Sequence, residues 1–359
     1  MVKFYDITII ANFESNHSKL ENISSKVSIV SIPIEREIRL LSDLKALFKL
    51  ISFFKKNEFE IVHSVSPKAG LMNAIAAWIC NIPNRIHTFT GQVWVTKKGI
   101  NRWLIKQMDK IIVLMSTCLM VDSFSQQNFL INEGVLTNDN SFVLGKGSIS
   151  GVDINRFIPS NTYRANVRKE LSISHDSFIY LYVGRLKKEK GIIELVEAFK
   201  NICKKHDNLT LLILGPDEEK LKADILSRLS LYSDLIRFVD FTNSPEKYMA
   251  ASDVFVLPSY REGFGNVIIE AASCELPSIG SNIYGLSDAI KDGETGLLVP
   301  VRSIKLLESA MLKLIHNDVL RKNMGAAARH RVASHFSQEI ITKEILQLYK
   351  RLINNEKVY

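Results

Sequence analysis

The feature that most constrains this chain is an alternation, over residues 178–291, of short apolar runs with stretches of helical spacing. Phe178–Val183 is an unbroken apolar run, and Gly184 ends it. Apolar residues at 192, 193, 196, 199 and 203 then recur at the intervals of one helix face. Leu209–Leu214 repeats the strand signal and Gly215-Pro216 stops it. Further strands are predicted at 236–241, 253–257 and 277–280, with helices near 218–230, 245–251, 266–275 and 285–291. Strands that alternate with helices pair in parallel, because each crossover lays a helix on a face of the sheet. Such a sheet holds its ligands at the carboxyl ends of its strands.

The N-terminal half alternates less regularly. Strands are expected at 5–11, 27–32, 60–65, 85–90, 111–114 and 141–144, and helices near 40–56, 69–80 and 99–107. Residues 145–165 carry three glycines and a proline among polar residues, the composition of a junction. A length of 359 residues suits two cores better than one. The expected architecture is α/β: two Rossmann-like domains, residues 1–158 and 159–337, facing a cleft that would hold the site. A final helix, within 338–359, would return to the N-terminal domain.

Composition removes several classes. No apolar run approaches the roughly 20 residues that span a bilayer. The N-terminus does not show the ordered basic, apolar and cleavage regions of a signal peptide, so a cytoplasmic chain is expected. Cys80, Cys118, Cys203 and Cys274 sit among apolar neighbours with no Cys-x-x-Cys pair, which reads as buried free thiols in a reducing compartment. The net charge of +8 is spread along the chain, and no nucleic-acid-binding motif accompanies it. It suits an anionic substrate or an anionic membrane surface.

Two segments carry chemistry. In Gly184-Arg185-Leu186-Lys187-Lys188-Glu189-Lys190-Gly191 a strand ends and cations precede a helix. The free N–H groups of that helix start, with Arg185 and Lys190, can hold an anion; an ordinary turn with solvated lysines is the alternative. In Pro258–Glu270, PSYREGFGNVIIE, Glu262 precedes the Gly263-Phe264-Gly265 turn and Glu270 lies in the following helix. Two carboxylates about a close-approach turn can accept hydrogen bonds from the hydroxyls of one ligand.

With these residues in view, the chain resembles the retaining GT-B glycosyltransferases of family 4, whose Glu-x7-Glu motif falls here on Glu262 and Glu270. The likeness extends to VGRLKKEKG, YMAASDVFVLPS and PSIGSNIYGLSDAIKDGETGLLVP, and to GVDINRF at the junction. PKAG at 67–70 and IPNRIHTFTGQ at 82–92 are similar to capsule, exopolysaccharide and O-antigen members. The resemblance implies transfer of a hexosyl-type unit from a nucleoside-diphosphate sugar, with retention of configuration. UDP is favoured over GDP, and a lipid-linked glycan is the implied acceptor. Arg185 and Lys190 would hold the diphosphate beside Gly184, and Glu262 would contact the sugar beside the Gly263, Phe264 and Gly265 backbone. Glu270 would bind the ribose, and Asp288 stands where family members more often have Glu.

The chain also departs from the pattern. The stretch after the first strand, ANFESNHSKL, has no glycine, whereas many members carry a glycine-rich loop there. Thr90 occupies the place of a histidine that precedes glycine in relatives, which leaves His63 as a candidate and His87 on the opposite face of its strand. There is no Asp-x-Asp and no cluster with metal spacing, so no cofactor and metal-independent transfer are expected. Residues 39–56 form a basic amphipathic stretch, and Lys97, Lys98, Arg102, Trp103 and Lys106 a second. Either packs on its own sheet or meets the inner face of a membrane. Two other readings stand beside transfer: a catalytically silent nucleotide-sugar-binding subunit of a polysaccharide assembly, and a GT-B nucleotide-sugar epimerase.

Overall fold

The structure is a computed structural model that describes residues 1–13, 26–35 and 39–356. Most of ANFESNHSKL lies outside the described residues. The chain forms two compact units: residues 1–122, 127–144 and 342–359, and residues 123–126 with 145–341.

In the first unit, β1 (Ile7–Ala11) and β2 (Val27–Ser31) pair in parallel. A parallel sheet of four follows, in the order β3 (Ile61–Ser64), β4 (Asn84–Phe89), β5 (Cys118–Val121), β6 (Phe142–Val143). Its crossovers are α1 (Leu40–Lys56) before β3, α2 (Pro67–Ile79), α3 (Gly99–Met115), and α4 (Phe124–Asn132), whose first three residues group with the second unit. Helix α2 packs between α1 and α3. Ala46, Leu50 and Phe54 on one side of α1 join Val62 and Met72 in the core.

The expected strand at 111–114 is instead the last turn of α3. No glycine or proline stands between Gly99 and Thr117, so nothing stops the helix before Ser116. The apolar run Ile111–Met115 is short enough to fit either element, and the strand begins at Cys118.

The second unit holds a six-stranded parallel sheet, in the order β12-β11-β10-β7-β8-β9. Its strands are β7 (Phe178–Val183), β8 (Leu209–Leu214), β9 (Ile236–Val239), β10 (Val254–Leu257), β11 (Ser278–Ser281) and β12 (Gly296–Val299). Between them come α5 (Asn161–Glu170), α6 (Ile192–Cys203), α7 (Lys222–Arg228), α8 (Pro245–Ala251), α9 (Asn266–Ser273) and α10 (Leu286–Ala289). Helices α11 (Ile304–His316), α12 (Asp318–His335) and α13 (Gln338–Ile353) close the chain. The interiors of β7, β8 and β10 are fully buried, as a sheet covered on both faces requires.

The division between units falls at Leu144–Gly145 and not near residue 158. Residues 145–158 are held to the second unit by main-chain bonds. Val152 N donates to Phe336 O at 2.8 Å, and Gln338 N to Val152 O at 2.8 Å. Phe157 is part of that unit's core. Residues 342–359, which include most of α13, group with the first unit.

Candidate functional site

In the second sheet β7 lies between β8 and β10, so the strand order reverses between β7 and β10. Loops leaving adjacent strands on the two sides of such a reversal open a ligand-sized gap at the carboxyl edge. The two loops here are residues 184–191 and 258–265, the segments that the sequence marks for chemistry.

Their approach depends on Gly191. Its φ of +70° is left-handed, and a Cβ there would lie 2.0 Å from Pro258 O. Other bonds fasten the crossing. Tyr260 N donates to Glu189 O at 2.9 Å, Arg261 pairs with Glu189 at 3.0 Å, and Tyr260 Oη bonds to Glu194. The same crossing brings Lys190 Nζ within 2.5 Å of Glu262 Oε1. Both side chains are largely buried, so this ion pair is poorly screened. Arg185 and Lys187 share Glu218, at 3.3 and 2.8 Å. The two cations expected to hold an anion are thus each held by a carboxylate.

Beyond Glu262 the chain turns through Gly265, left-handed at φ +79°, into α9. The Phe264 side chain is buried against Phe336, so only its backbone is available to a ligand. Glu270, one turn into α9, has no ion-pair partner among the described residues. Burial raises its carboxyl to about 7, Arg156 opposes that rise, and Glu246 adds to it. A desolvated carboxylate without a partner is a costly feature that a hydroxyl ligand would relieve.

The residues that hold this arrangement were not singled out in the sequence. Asn266, at the start of α9, accepts from Ser148 Oγ at 2.9 Å and donates to Ser150 Oγ at 3.0 Å. Arg156, in the GVDINRF segment, pairs with buried Glu246 at 2.8 Å. Ser123 Oγ donates to Gly263 O at 3.3 Å. Ser125 donates from N and Oγ to Asp288, and Gly285 N donates back to Ser125 Oγ at 2.8 Å. Asp288 is therefore held by Ser125. The Arg156 and Asn266 contacts join residues about 90 and 120 positions apart, and no local pattern announces them.

His63 lies in the first unit, with both ring nitrogens engaged: Nδ1 with Tyr349 Oη and Nε2 with Thr88 Oγ1, each at 2.7 Å. Burial lowers its pKa to about 4, so it is neutral near pH 7. His63, a catalytic candidate from the sequence, thus joins β3 and β4 to α13. His87 is buried, bonds Ser64 through Nδ1 at 2.9 Å, and packs under Gly70, where a Cβ would lie 2.4 Å from its ring. Thr90 donates to Val65 O at 2.9 Å. Asp122, which follows β5, is buried with no hydrogen-bond partner for Oδ1 among the described residues, and burial raises it to about 7.

Two parallel Rossmann-like units, with a basic loop and a Glu-x7-Glu loop meeting at a strand-order reversal, define the class of GT-B glycosyltransferases. Comparison with known proteins agrees. Residues 164–331 match the family model of glycosyl transferases group 1, and residues 2–123 that of glycosyl transferase 4-like proteins. The capsular polysaccharide biosynthesis glycosyltransferase CapM of Staphylococcus aureus is 34% identical over 357 residues, 99% of this chain and 92% of that protein. A UDP-Gal:alpha-D-GlcNAc-diphosphoundecaprenol alpha-1,3-galactosyltransferase of Escherichia coli is 28% identical, over 89% of this chain and 83% of its own length. Sucrose-phosphate synthase from Thermosynechococcus elongatus has the same fold, with a TM-score of 0.83 at 23% identity, over 99% of this chain and 90% of that one. The chain belongs to the group 1, family-4-like glycosyltransferases, and it is a sugar-transferring enzyme.

Proposed function

We propose that the enzyme moves a hexosyl unit from a nucleoside-diphosphate sugar to a hydroxyl of a lipid-linked glycan, retaining anomeric configuration, in the assembly of a surface polysaccharide. The observation that carries this reading is the Lys190–Glu262 pair at 2.5 Å, with unpaired Glu270 eight residues on. The second unit would take the donor and the first the acceptor. The likeness to the S. aureus capsular enzyme and the E. coli diphosphoundecaprenol galactosyltransferase supports the pathway and the lipid carrier. The latter's UDP-galactose favours a UDP-sugar over a GDP-sugar.

In this mechanism Arg185 and Lys190 turn from their carboxylates to the diphosphate as the donor binds, and they stay on it while its bond to the sugar lengthens. Fixed cations in a poorly solvated loop stabilise the leaving oxygen without a metal ion. Freed from Lys190, Glu262 accepts from the sugar hydroxyls, and Glu270 from the ribose. Loss of activity in chelator would overturn the metal-free part. The enzyme would work in the cytoplasm, where nucleotide sugars and the inner face of the membrane meet.

A thermal-shift series with UDP, GDP and their sugars identifies the nucleotide, since a ligand raises the melting temperature of the state that binds it. Transfer from the stabilising sugar to a membrane extract then tests the reaction, with Glu262→Ala as the control that should abolish it. Donor binding without transfer by the wild type would replace this reading with that of a silent subunit. Release of free, epimerised sugar without acceptor would make it an epimerase.

A further inference from the structure

Helix α1 buries Ala46, Leu50 and Phe54 but leaves Leu40, Leu41, Leu44 and Phe48 exposed, Leu41 to 79%. Its apolar surface is thus wider than the sheet needs. Helix α3 does the same. Among the described residues it buries only Asp109 and Ile112, and exposes Ile100, Trp103, Leu104, Ile111 and Leu114, the last to 81%. These recur at helical spacing along one outer stripe.

The two helices belong to one layer, with α2 between them. Lys68 pairs with Asp43 at 2.5 Å, which ties the first turn of α2 to the first turn of α1. Helices α2 and α3 follow the parallel neighbours β3 and β4, so both begin at the carboxyl edge of that sheet. The first turns of α1 and α3 therefore bring their exposed apolar residues to the edge where a parallel sheet holds ligands. The exposed large apolar residues of the second unit, such as Leu226, Leu231, Phe241 and Val319, fall singly on separate segments. Single exposed residues are ordinary, whereas a continuous apolar stripe calls for a partner.

Charge identifies the partner. Lys45, Lys49, Lys97, Lys98 and Lys110 are exposed and have no ion-pair partner among the described residues. The acidic residues of the two helices are accounted for: Asp43 is held by Lys68, and Asp109 is buried beneath Trp94, bonded at 2.7 Å. Arg102 and Lys106 belong to the interior side, where both pair with Glu133 at 2.7 Å and lie over the Trp94 ring. A two-fold contact between copies of this face would set lysine against lysine. An anionic bilayer meets both the apolar stripe and the lysines.

We propose that the outer faces of α1 and α3 form a docking surface for an anionic phospholipid bilayer. The proposal rests on the reading of a lipid-linked acceptor and gives that acceptor a place. The lysines sit at headgroup level while Leu41, Leu44 and Trp103 enter the acyl boundary, and the carboxyl edge of the first unit's sheet lies close to the bilayer.

Flotation of the full chain with vesicles tests this without any transfer reaction. Wild type should float with phosphatidylglycerol–phosphatidylethanolamine vesicles and stay behind with phosphatidylcholine alone. Binding should weaken as salt rises. The triple variant L41E/L44E/W103E should lose roughly tenfold or more of the bound fraction, while its melting temperature and its shift with nucleoside diphosphate stay as in wild type. Those readings separate docking from donor binding, so either can fail alone. No flotation of wild type, or equal flotation of the variant, overturns the proposal. So does a wild-type dimer that the variant splits without any vesicle binding, since the face would then join two copies.

Discussion

The loop pair of the second unit and the helix faces of the first make opposite use of charge. At Gly191 and Pro258 two loops cross closely, and each cation there already has a carboxylate: Lys190 has Glu262, and Arg185 has Glu218. On α1 and α3 Lys45, Lys49 and Lys110 are exposed beside exposed apolar residues, and Asp43 and Asp109 are spent inward. A compact, paired site suits a small anionic ligand that exchanges partners with it. An unpaired, extended one suits a broad anionic surface. The first unit does hold paired polar groups, but His63 and His87 are committed to internal contacts. On this comparison the proposed chemistry falls to the second unit and the proposed docking to the first, and each prediction below can break that division.

The largest effect is expected at Glu262. Glu262→Gln keeps the size of the side chain but removes the charge that balances Lys190. Transfer should fall by roughly 10²–10³ in kcat, while UDP, read by titration calorimetry, binds no more weakly than to wild type, because Lys190 has lost the carboxylate that competes for it. An unchanged kcat would move the chemistry out of this loop pair.

Next is the titration of Glu270. Its native carboxyl sits at about 7 against an ordinary 4.5, so the native state keeps a proton that the unfolded chain has lost. The stability this confers is present below about pH 4.5 and is lost as pH rises through about 7. Glu270→Gln should therefore gain on wild type between pH 5 and 8, by on the order of 3 kcal/mol. Urea midpoints of the two proteins at matched pH give this difference, and the raised Asp122 cancels because both carry it. A flat difference would mean that Glu270 is solvated and has no strain for a ligand to relieve.

His63 separates the two units' roles most directly. His63→Ala strands the hydroxyls of Thr88 and Tyr349 and should cost about 1–3 kcal/mol of stability. Transfer per folded molecule should stay as in wild type. A fall in kcat comparable to that of Glu262→Gln would return His63 to the catalytic machinery.

The same contrast explains what could be read from the sequence. The second unit's strands are continuous apolar runs closed by Gly184 and Gly215, and such runs report their own ends. The loops at 184–191 and 258–265 were legible because each function sits in a few consecutive residues. At Ile111–Met115 the pattern failed, because a short apolar run does not distinguish a strand from the exposed stripe of a helix. His63 was legible as a histidine at a strand end, but its two partners lie 25 and 286 residues away. The bracing by Ser125, Arg156 and Asn266 was out of reach for the same reason: pairing at long sequence separation leaves no periodicity.

The smallest effect expected is at Glu218. It holds Arg185 and Lys187, and all three side chains are about a quarter to a third exposed, so each pair is worth little by itself. In the proposed mechanism a donor diphosphate nevertheless has to displace this carboxylate to reach Arg185. Glu218→Gln removes the competitor and leaves the two cations, so UDP should bind about two- to fivefold more tightly, as a surface pair of this kind permits. kcat should be unaltered, because Glu218 leaves before the transition state and holds nothing in it. The gain should shrink in high salt, where both the pair and its replacement are screened. Weaker UDP binding in the variant would show instead that Glu218 orients Arg185 toward the ligand, and the comparison would then change: the loop pair would be set by its carboxylates in advance and not held in check by them.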